Sequence, residues 1–281
     1  MSKKTIRKKF RDIIFGVLSF ILALFLFADS VCILSAAFVV NENMWIDQMN
    51  SSNYYTDKAD EIEDKLIILG NASGLPAEFF DNVVDPIQVT NDTNAYLDAY
   101  FDGKNEVVSS NAFKQKFNSE LNLYIAENKA TVDEANVEYL ANTAEHIYFS
   151  SLEIPLFYRL SGYLAALKSI LPFVIAGLSV LSAVIILILL FCNKWRHRAF
   201  KYYYFASAGT CLSLLAVSVS LSVSGGLKKI ILESRTLYNM AVSYGTSVTI
   251  AFWAFTAFFF IVSVTLFFVY SNLFKKVSES D

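Results

Sequence analysis

The chain has 281 residues, of which 55% are apolar and 17% are charged, against roughly 25% charged residues in an ordinary soluble domain. This composition excludes a chain whose whole surface faces water, so part of that surface must face lipid. The formal net charge of −3 combines several basic clusters with one strongly acidic segment.

The first apolar run, Ile13 to Val40, contains a single charged residue, Asp29. A helix needs about 20 apolar residues to cross a bilayer core, so this run predicts a first transmembrane helix at 13–40. A cleaved signal peptide is the alternative, because residues 1–12 are basic and Ser35 to Ala37 supply small side chains. We favour an uncleaved anchor, since the run exceeds the 7 to 15 apolar residues typical of a signal peptide.

The next segment, 41–165, holds 21 Asp and Glu residues against seven Lys and Arg, a formal balance of −14. Its apolar residues recur at helical spacing, without the sustained alternation that indicates strands. A segment of about 125 residues can bury its own core, so we expect an α-helical domain. Because the domain is acidic, it is not expected to bind nucleic acid.

Helix-end signals divide this acidic segment. An apolar stripe is formed by Tyr55, Ala59, Ile62, Leu66 and Leu69. Gly70 is expected to end the helix that carries this stripe. Thr131 and Glu134 form a capping box that predicts the start of a later helix, and Pro155 should break or kink that helix.

Four aromatic residues of the same segment stand at positions that suit a helical core. They are Phe79, Phe113, Phe117 and Tyr124. A ligand-binding aromatic cage is the alternative interpretation, but packing in the core is favoured because helix stripes of this kind usually face the interior.

Three further apolar runs predict transmembrane helices at 166–192, 203–224 and 248–270. A basic turn, 193–202, joins the second span to the third, and a loop, 225–247, joins the third to the fourth. Residues 271–281 form a short tail. The predicted fold class is therefore an all-α integral membrane protein with four transmembrane helices and an extracytoplasmic helical domain between the first and second.

Lys and Arg residues indicate the orientation, because positively charged segments stay on the cytoplasmic side. Those near the span ends are Lys3, Lys4, Arg7, Lys8, Lys9, Arg11, Lys194, Arg196, Arg198, Lys201, Lys275 and Lys276. Both termini and the turn 193–202 are thus expected in the cytoplasm, with 41–165 and 225–247 outside. The basic clusters are expected to contact lipid headgroups of the bilayer.

The three cysteines, Cys32, Cys192 and Cys211, lie in spans or at their ends. The acidic segment has none and so cannot contain an internal disulfide. Four-span surface proteins of animals, such as tetraspanins and claudins, depend on disulfides in their outer loops. We therefore expect a bacterial plasma membrane, although two triplets, at Asn71 and Asn91, fit the glycosylation pattern.

Small residues on the second and third spans predict close helix packing, because small side chains allow backbones to approach in lipid. They are Ala176, Ser179 and Ala183 on the second span, and Ala206, Gly209, Ser213 and Ala216 on the third. We expect these two spans to form the tightest pair. A water-lined path along the serines of the third span is the alternative to packing.

Asp29 is the one ionisable residue well inside a span. At about 1.5 Å rise per residue it lies in the outer leaflet, at the predicted depth of Ser218, Ser220 and Thr256. These hydroxyls are expected to donate hydrogen bonds to it, forming an intramembrane polar site. The alternative is that Asp29 simply reaches the interface because the span ends near it.

The sequence predicts no catalytic residue, metal site or cofactor. It has only two histidines, one on each predicted side of the membrane, and none of the motifs that position metals, phosphates or nucleophiles. Acidic pairs one helical turn apart, Asp60 with Asp64 and Glu61 with Asp64, suit a divalent cation, but such pairs are more often a solvated helix face.

The loop 225–247 carries Lys228, Lys229 and Arg235 against Glu233 and faces the same predicted side as the acidic segment. We expect it to dock on that segment through these cations. The alternative is that the lysines sit at the headgroup level.

These features favour a non-enzymatic membrane protein whose outer helical domain binds a ligand or a protein partner, as a receptor, scaffold or accessory subunit. The predicted cytoplasmic pieces are too short for a catalytic output domain. One span, a large outer domain and three further spans also resemble the layout of FtsX-like permeases. That resemblance implies a permease-type subunit acting with a separate ATPase, although the turn 193–202 is short for such a family.

Overall fold

The computed structural model describes residues 3–104, 111–129, 133–193, 196–224 and 234–278. Over these residues the protein is helical and contains no strand, which confirms the predicted all-α class. The helices are α1 (Lys3–Phe38), α2 (Glu42–Ser51), α3 (Tyr54–Ser73), α4 (Pro86–Phe101), α5 (Asn111–Glu127), α6 (Glu134–Leu152), α7 (Pro155–Phe191), α8 (Arg196–Val223) and α9 (Arg235–Ser278), with a short 3-10 helix at Ala77–Asn82.

Four helices of the described chain are long and apolar enough to cross a membrane, as predicted. Their apolar stretches are Arg11–Phe38 in α1, Arg159–Phe191 in α7, His197–Val223 in α8 and Arg235–Lys276 in α9. All four of these helices start earlier than the predicted spans, and the differences are largest in α7 and α9. α7 begins at Pro155, which suits the first helical turn because proline has no amide hydrogen to leave unpaired. α9 begins at Arg235, inside the predicted loop 225–247.

The chain forms two compact units. The first, here called the span unit, comprises Met1–Val39, Lys168–Ile230 and Tyr244–Asp281. The second, here called the inter-span domain, comprises Val40–Leu167 and Ile231–Ser243. The inter-span domain thus contains the acidic segment predicted at 41–165 together with the first turns of α9.

In the described part of the span unit, α1 and α8 form the closest pair, whereas the sequence predicted that the second and third spans would. Gly209 of α8 faces α1: a methyl group added at Gly209 would come to 3.2 Å from Ala23 Cβ. Thr210 Oγ1 also donates to the Ala23 carbonyl at 3.1 Å. The backbones of α1 and α8 approach closely here because glycine faces alanine. The predicted pairing of the second and third spans was wrong because only the small residues of α7 were considered as a partner for those of α8.

The core of the inter-span domain is built from α3, the 3-10 helix, α4, α5 and α6. Phe113 and Phe117 have 0% exposure, which confirms their predicted place in the core. The Phe113 ring stacks on Tyr148 with centroids 4.1 Å apart. Phe79 and Tyr124 are partly buried against the same cluster, and their rings meet edge to face at 5.6 Å. The four aromatic residues therefore pack against protein.

Two helix ends differ from the sequence predictions. α3 passes through Gly70 and ends at Ser73, where Gly74 takes the left-handed conformation with φ of 81°. Gly70 is instead buried against Phe80, whose ring leaves no room for a side chain. Thr131 of the predicted capping box lies outside the described residues. The cap of α6 is Asp133, whose side chain accepts from the Ala135 amide at 3.1 Å.

Candidate functional site

Asp29 is a residue of α1, and its side chain contacts α7 within the span unit. Its Oδ2 accepts a hydrogen bond from Ser179 Oγ at 2.9 Å. Its Oδ1 is buried and has no hydrogen-bond partner within the described residues. The predicted donors were Ser218, Ser220 and Thr256, so the structure pairs the carboxyl group with a hydroxyl of the second span instead. This contact links α1 to α7 through one polar bond in a largely apolar setting.

Ser218 and Thr256 do meet, but with each other. Their hydroxyl oxygens are 3.1 Å apart and both side chains are buried between α8 and α9. Ser220 is exposed. Ser207 and Ser263 form a second such pair at 2.8 Å. Because these hydroxyls are satisfied by the facing helix and by their own backbone, the geometry favours helix packing over a water-lined path.

The predicted packing residues fall into different environments. Ala206 is buried and Gly209 faces α1, whereas Ser213 is half-buried. The exposed members of the set are Ala176, Ser179, Ala183 and Ala216. Ser179 is the member that bonds Asp29, as described above.

Only one of the three predicted docking cations lies within the described residues. Lys228 and Lys229 lie outside the described residues, and Arg235 is exposed. Two hydroxyl groups near the start of α9 form hydrogen bonds with other residues of the inter-span domain. Ser234 Oγ donates to Glu61 Oε2 at 2.7 Å, and Ser243 Oγ donates to Gln48 Oε1 at 2.9 Å. Docking through the lysines stays a prediction.

Glu61 is the centre of a charged cluster that the sequence prediction missed. Lys58 Nζ lies 3.2 Å from its carboxylate, and Lys65 Nζ lies 3.0 Å from it. Burial by itself would raise the pKa of Glu61, but the Ser234 hydrogen bond and the nearby lysines outweigh it and hold that pKa at about 2. Lys58 is only 2% exposed, so Glu61 neutralises a buried ammonium group.

The position of this carboxylate also suits the start of α9. Ser234 Oγ accepts from the Leu237 amide at 3.3 Å, which caps the helix, while donating to Glu61. A negative charge near a helix N-terminus is favourable because the backbone amides there are unpaired. The spacing of Lys58, Glu61 and Lys65 is visible in the sequence, but the distant Ser234 is not. The Glu61 carboxylate thus forms ion pairs with two lysines, instead of binding a divalent cation together with Asp64.

A cavity of about 370 Å³ opens between the ends of α3, α5 and α6. Its wall is largely apolar and includes Leu75, Leu121 and Leu140, whereas Tyr124, Asn136 and Tyr139 supply polar groups. The described lining carries no formal charge. Small-molecule sites in proteins typically have volumes of about 300 to 1,000 Å³ and few polar groups, so the cavity has a suitable size and chemistry. The sequence did not predict this cavity, because core packing was favoured for Tyr124 over a ligand-binding aromatic cage.

Within the described residues, no group of three or more His, Cys, Asp or Glu side chains is arranged to hold a metal ion. Comparison of the chain with protein-family models, curated proteins and solved structures gave no match.

Proposed function

We propose that this chain is a non-enzymatic multi-pass protein of the plasma membrane whose inter-span domain lies outside and binds a ligand or a protein partner. The cavity of about 370 Å³ carries this proposal, because it combines an apolar wall with a few polar groups. Tyr139 is 70% exposed, so a bound molecule can reach a large aromatic side chain directly. The role is that of a receptor, scaffold or accessory subunit.

The charge distribution supports the orientation in this proposal. Lys and Arg residues cluster at 1–12, 193–202 and 271–281, which favours a cytoplasmic location for those segments. The acidic segment 41–165 lacks cysteine, which is consistent with a bacterial surface that does not rely on disulfides.

Labelling of single cysteines in intact cells tests the orientation. In a chain whose Cys32, Cys192 and Cys211 are replaced by alanine, Asn122→Cys is expected to react with a membrane-impermeant maleimide. Asn122 is exposed on α5 of the inter-span domain. Lys276→Cys, near the end of α9, is expected to react only after permeabilisation. Reaction of Lys276→Cys in intact cells would contradict the proposed orientation.

Photocrosslinking in native membranes tests binding at the cavity. Benzoylphenylalanine at Tyr139 is expected to give a discrete adduct, whereas the same group at Thr56, which is exposed on α3 and does not line the cavity, is expected to give none. Val137→Trp, which fills the cavity, should abolish the Tyr139 adduct because the bound molecule loses its space.

Equal adducts at Tyr139 and Thr56, or none at Tyr139, would count against the cavity as the binding site.

Purification in mild detergent separates the two classes of function. A stoichiometric ATPase recovered with the chain would support the permease-type alternative, and a membrane or outer partner would support the receptor or scaffold.

A further inference from the structure

The ends of α1 and α8 that carry basic residues are joined by specific contacts. Ser19 Oγ donates to the Tyr202 carbonyl at 2.7 Å, and the rings of Phe15 and Tyr202 meet edge to face with centroids 5.6 Å apart. Arg11 stands at the start of the apolar stretch of α1, and Arg198 stands one residue after the start of that of α8. Both arginines are therefore held at the same end of the closest helix pair.

The charges at this end do not cancel. Arg11 and Arg198 both lie within electrostatic range of the Tyr202 hydroxyl, as does the carboxylate of Asp12. Lys201 adds a third cation, with Nζ 5.6 Å from the centre of the Phe205 ring. Among the described side chains named here, three cations thus stand against one exposed carboxylate, and an anion at this place would be attracted.

One hydrogen-bond donor of the Arg11 guanidinium lacks an acceptor among the described residues. Its Nε is buried and has no partner among the described residues. Neither Arg11 nor Arg198 forms an ion pair or a side-chain hydrogen bond within the part of the chain that the structure describes. A buried donor on a charged group costs free energy unless something accepts from it, so this group indicates an acceptor other than the described residues of the chain.

We propose that Arg11 and Arg198 bind the phosphate of an anionic phospholipid headgroup. The planar guanidinium fits a phosphate through two parallel hydrogen bonds. A lipid is the source that suits the location, because both residues lie where apolar helix surface begins. Next to Arg11, the exposed side chains of Ile14 and Val17 provide apolar surface for the acyl chains. The site is separate from the proposed ligand-binding activity of the inter-span domain.

Lipid binding to the full chain in nanodiscs tests this site. Native mass spectrometry should show phosphatidylglycerol retained in preference to phosphatidylcholine. Arg11→Gln and Arg198→Gln are each expected to weaken that retention roughly tenfold, because each removes a charge-assisted hydrogen bond. Lys104→Gln, which removes an exposed cation from the inter-span domain, should leave it unchanged. Asp12→Asn should strengthen it, since a nearby negative charge is removed.

Several results would overturn the proposal. Equal retention of the two lipids would do so, as would an equal loss in Lys104→Gln and Arg11→Gln. If inorganic phosphate added to nanodiscs that contain both lipids displaces phosphatidylglycerol completely, the site belongs to a free anion instead. Should the glutamine variants fail to fold, Arg11→Lys and Arg198→Lys carry the test. These keep the charge but lose the planar fork, and undiminished selectivity in both would contradict the assigned role of the guanidinium groups.

Discussion

Glu61→Gln is expected to destabilise the inter-span domain by about 3 kcal/mol, because it leaves the buried ammonium group of Lys58 without a neutralising charge. The variant also weakens the hydrogen bond that Ser234 donates to the carboxylate. The effect should be largest in α3 and in the first turn of α9, which the carboxylate connects. Hydrogen–deuterium exchange of the full chain in nanodiscs, read in those two segments, measures it.

Asp64→Asn provides the matched control, since Asp64 is exposed on the same helix. It should change the free energy of unfolding by less than about 0.5 kcal/mol. Ser234→Ala should fall between the two, at about 1 kcal/mol, because it removes a helix cap and one hydrogen bond but no charge. If Glu61→Gln has no larger effect than Asp64→Asn, the cluster does not stabilise the domain.

The difference in folding stability between wild type and Glu61→Gln is expected to depend on pH, because it comes from the charge of Glu61. The folded pKa of Glu61, about 2, lies below its ordinary value of 4.5. The stabilisation it provides is therefore complete above about pH 4.5 and is lost as the pH falls through 2. The stability difference between the two proteins should shrink across that interval. A difference that stays constant between pH 5 and pH 2 would show that the Glu61 charge is not its source.

Gly70→Ala is expected to destabilise the inter-span domain by about 1 to 3 kcal/mol, although alanine favours helix by about 1 kcal/mol over glycine. The added methyl group would overlap the ring of Phe80, which is 0% exposed and cannot move into solvent. Thermal unfolding of the full chain, monitored through proteolysis of the inter-span domain, measures this change in stability. Gly70→Ala combined with Phe80→Leu should recover part of the loss, because the shorter side chain vacates the space.

Gly162→Ala is the control for this substitution. Gly162 is also helical and belongs to the same unit, but a methyl group added there meets nothing within 4 Å. It should be neutral or slightly stabilising because only helix propensity changes. A loss of stability in Gly162→Ala equal to that in Gly70→Ala would mean that contact with Phe80 is not the cause.

The number of apolar helices follows from the sequence alone, because the length of an apolar run sets whether it can cross a bilayer. The helical class of the acidic segment follows in the same way from the spacing of residues such as Ile62 and Leu66, which share one face of α3. Proline signals are similarly local: α6 ends at Leu152 and the next helix starts at Pro155. Each of these properties depends on neighbours within a few turns of one helix.

Tertiary structure decided which residues meet. The depth of Asp29 along its helix was predictable from the rise per residue, but depth does not specify which neighbouring helix it faces. Its donor is therefore Ser179 rather than Ser218, because helix order and rotation depend on side-chain packing throughout the unit. The same holds for Glu61, whose lysines are close in sequence while Ser234 is 173 positions away. Contacts of that separation arise only when the chain folds, since no local spacing encodes them.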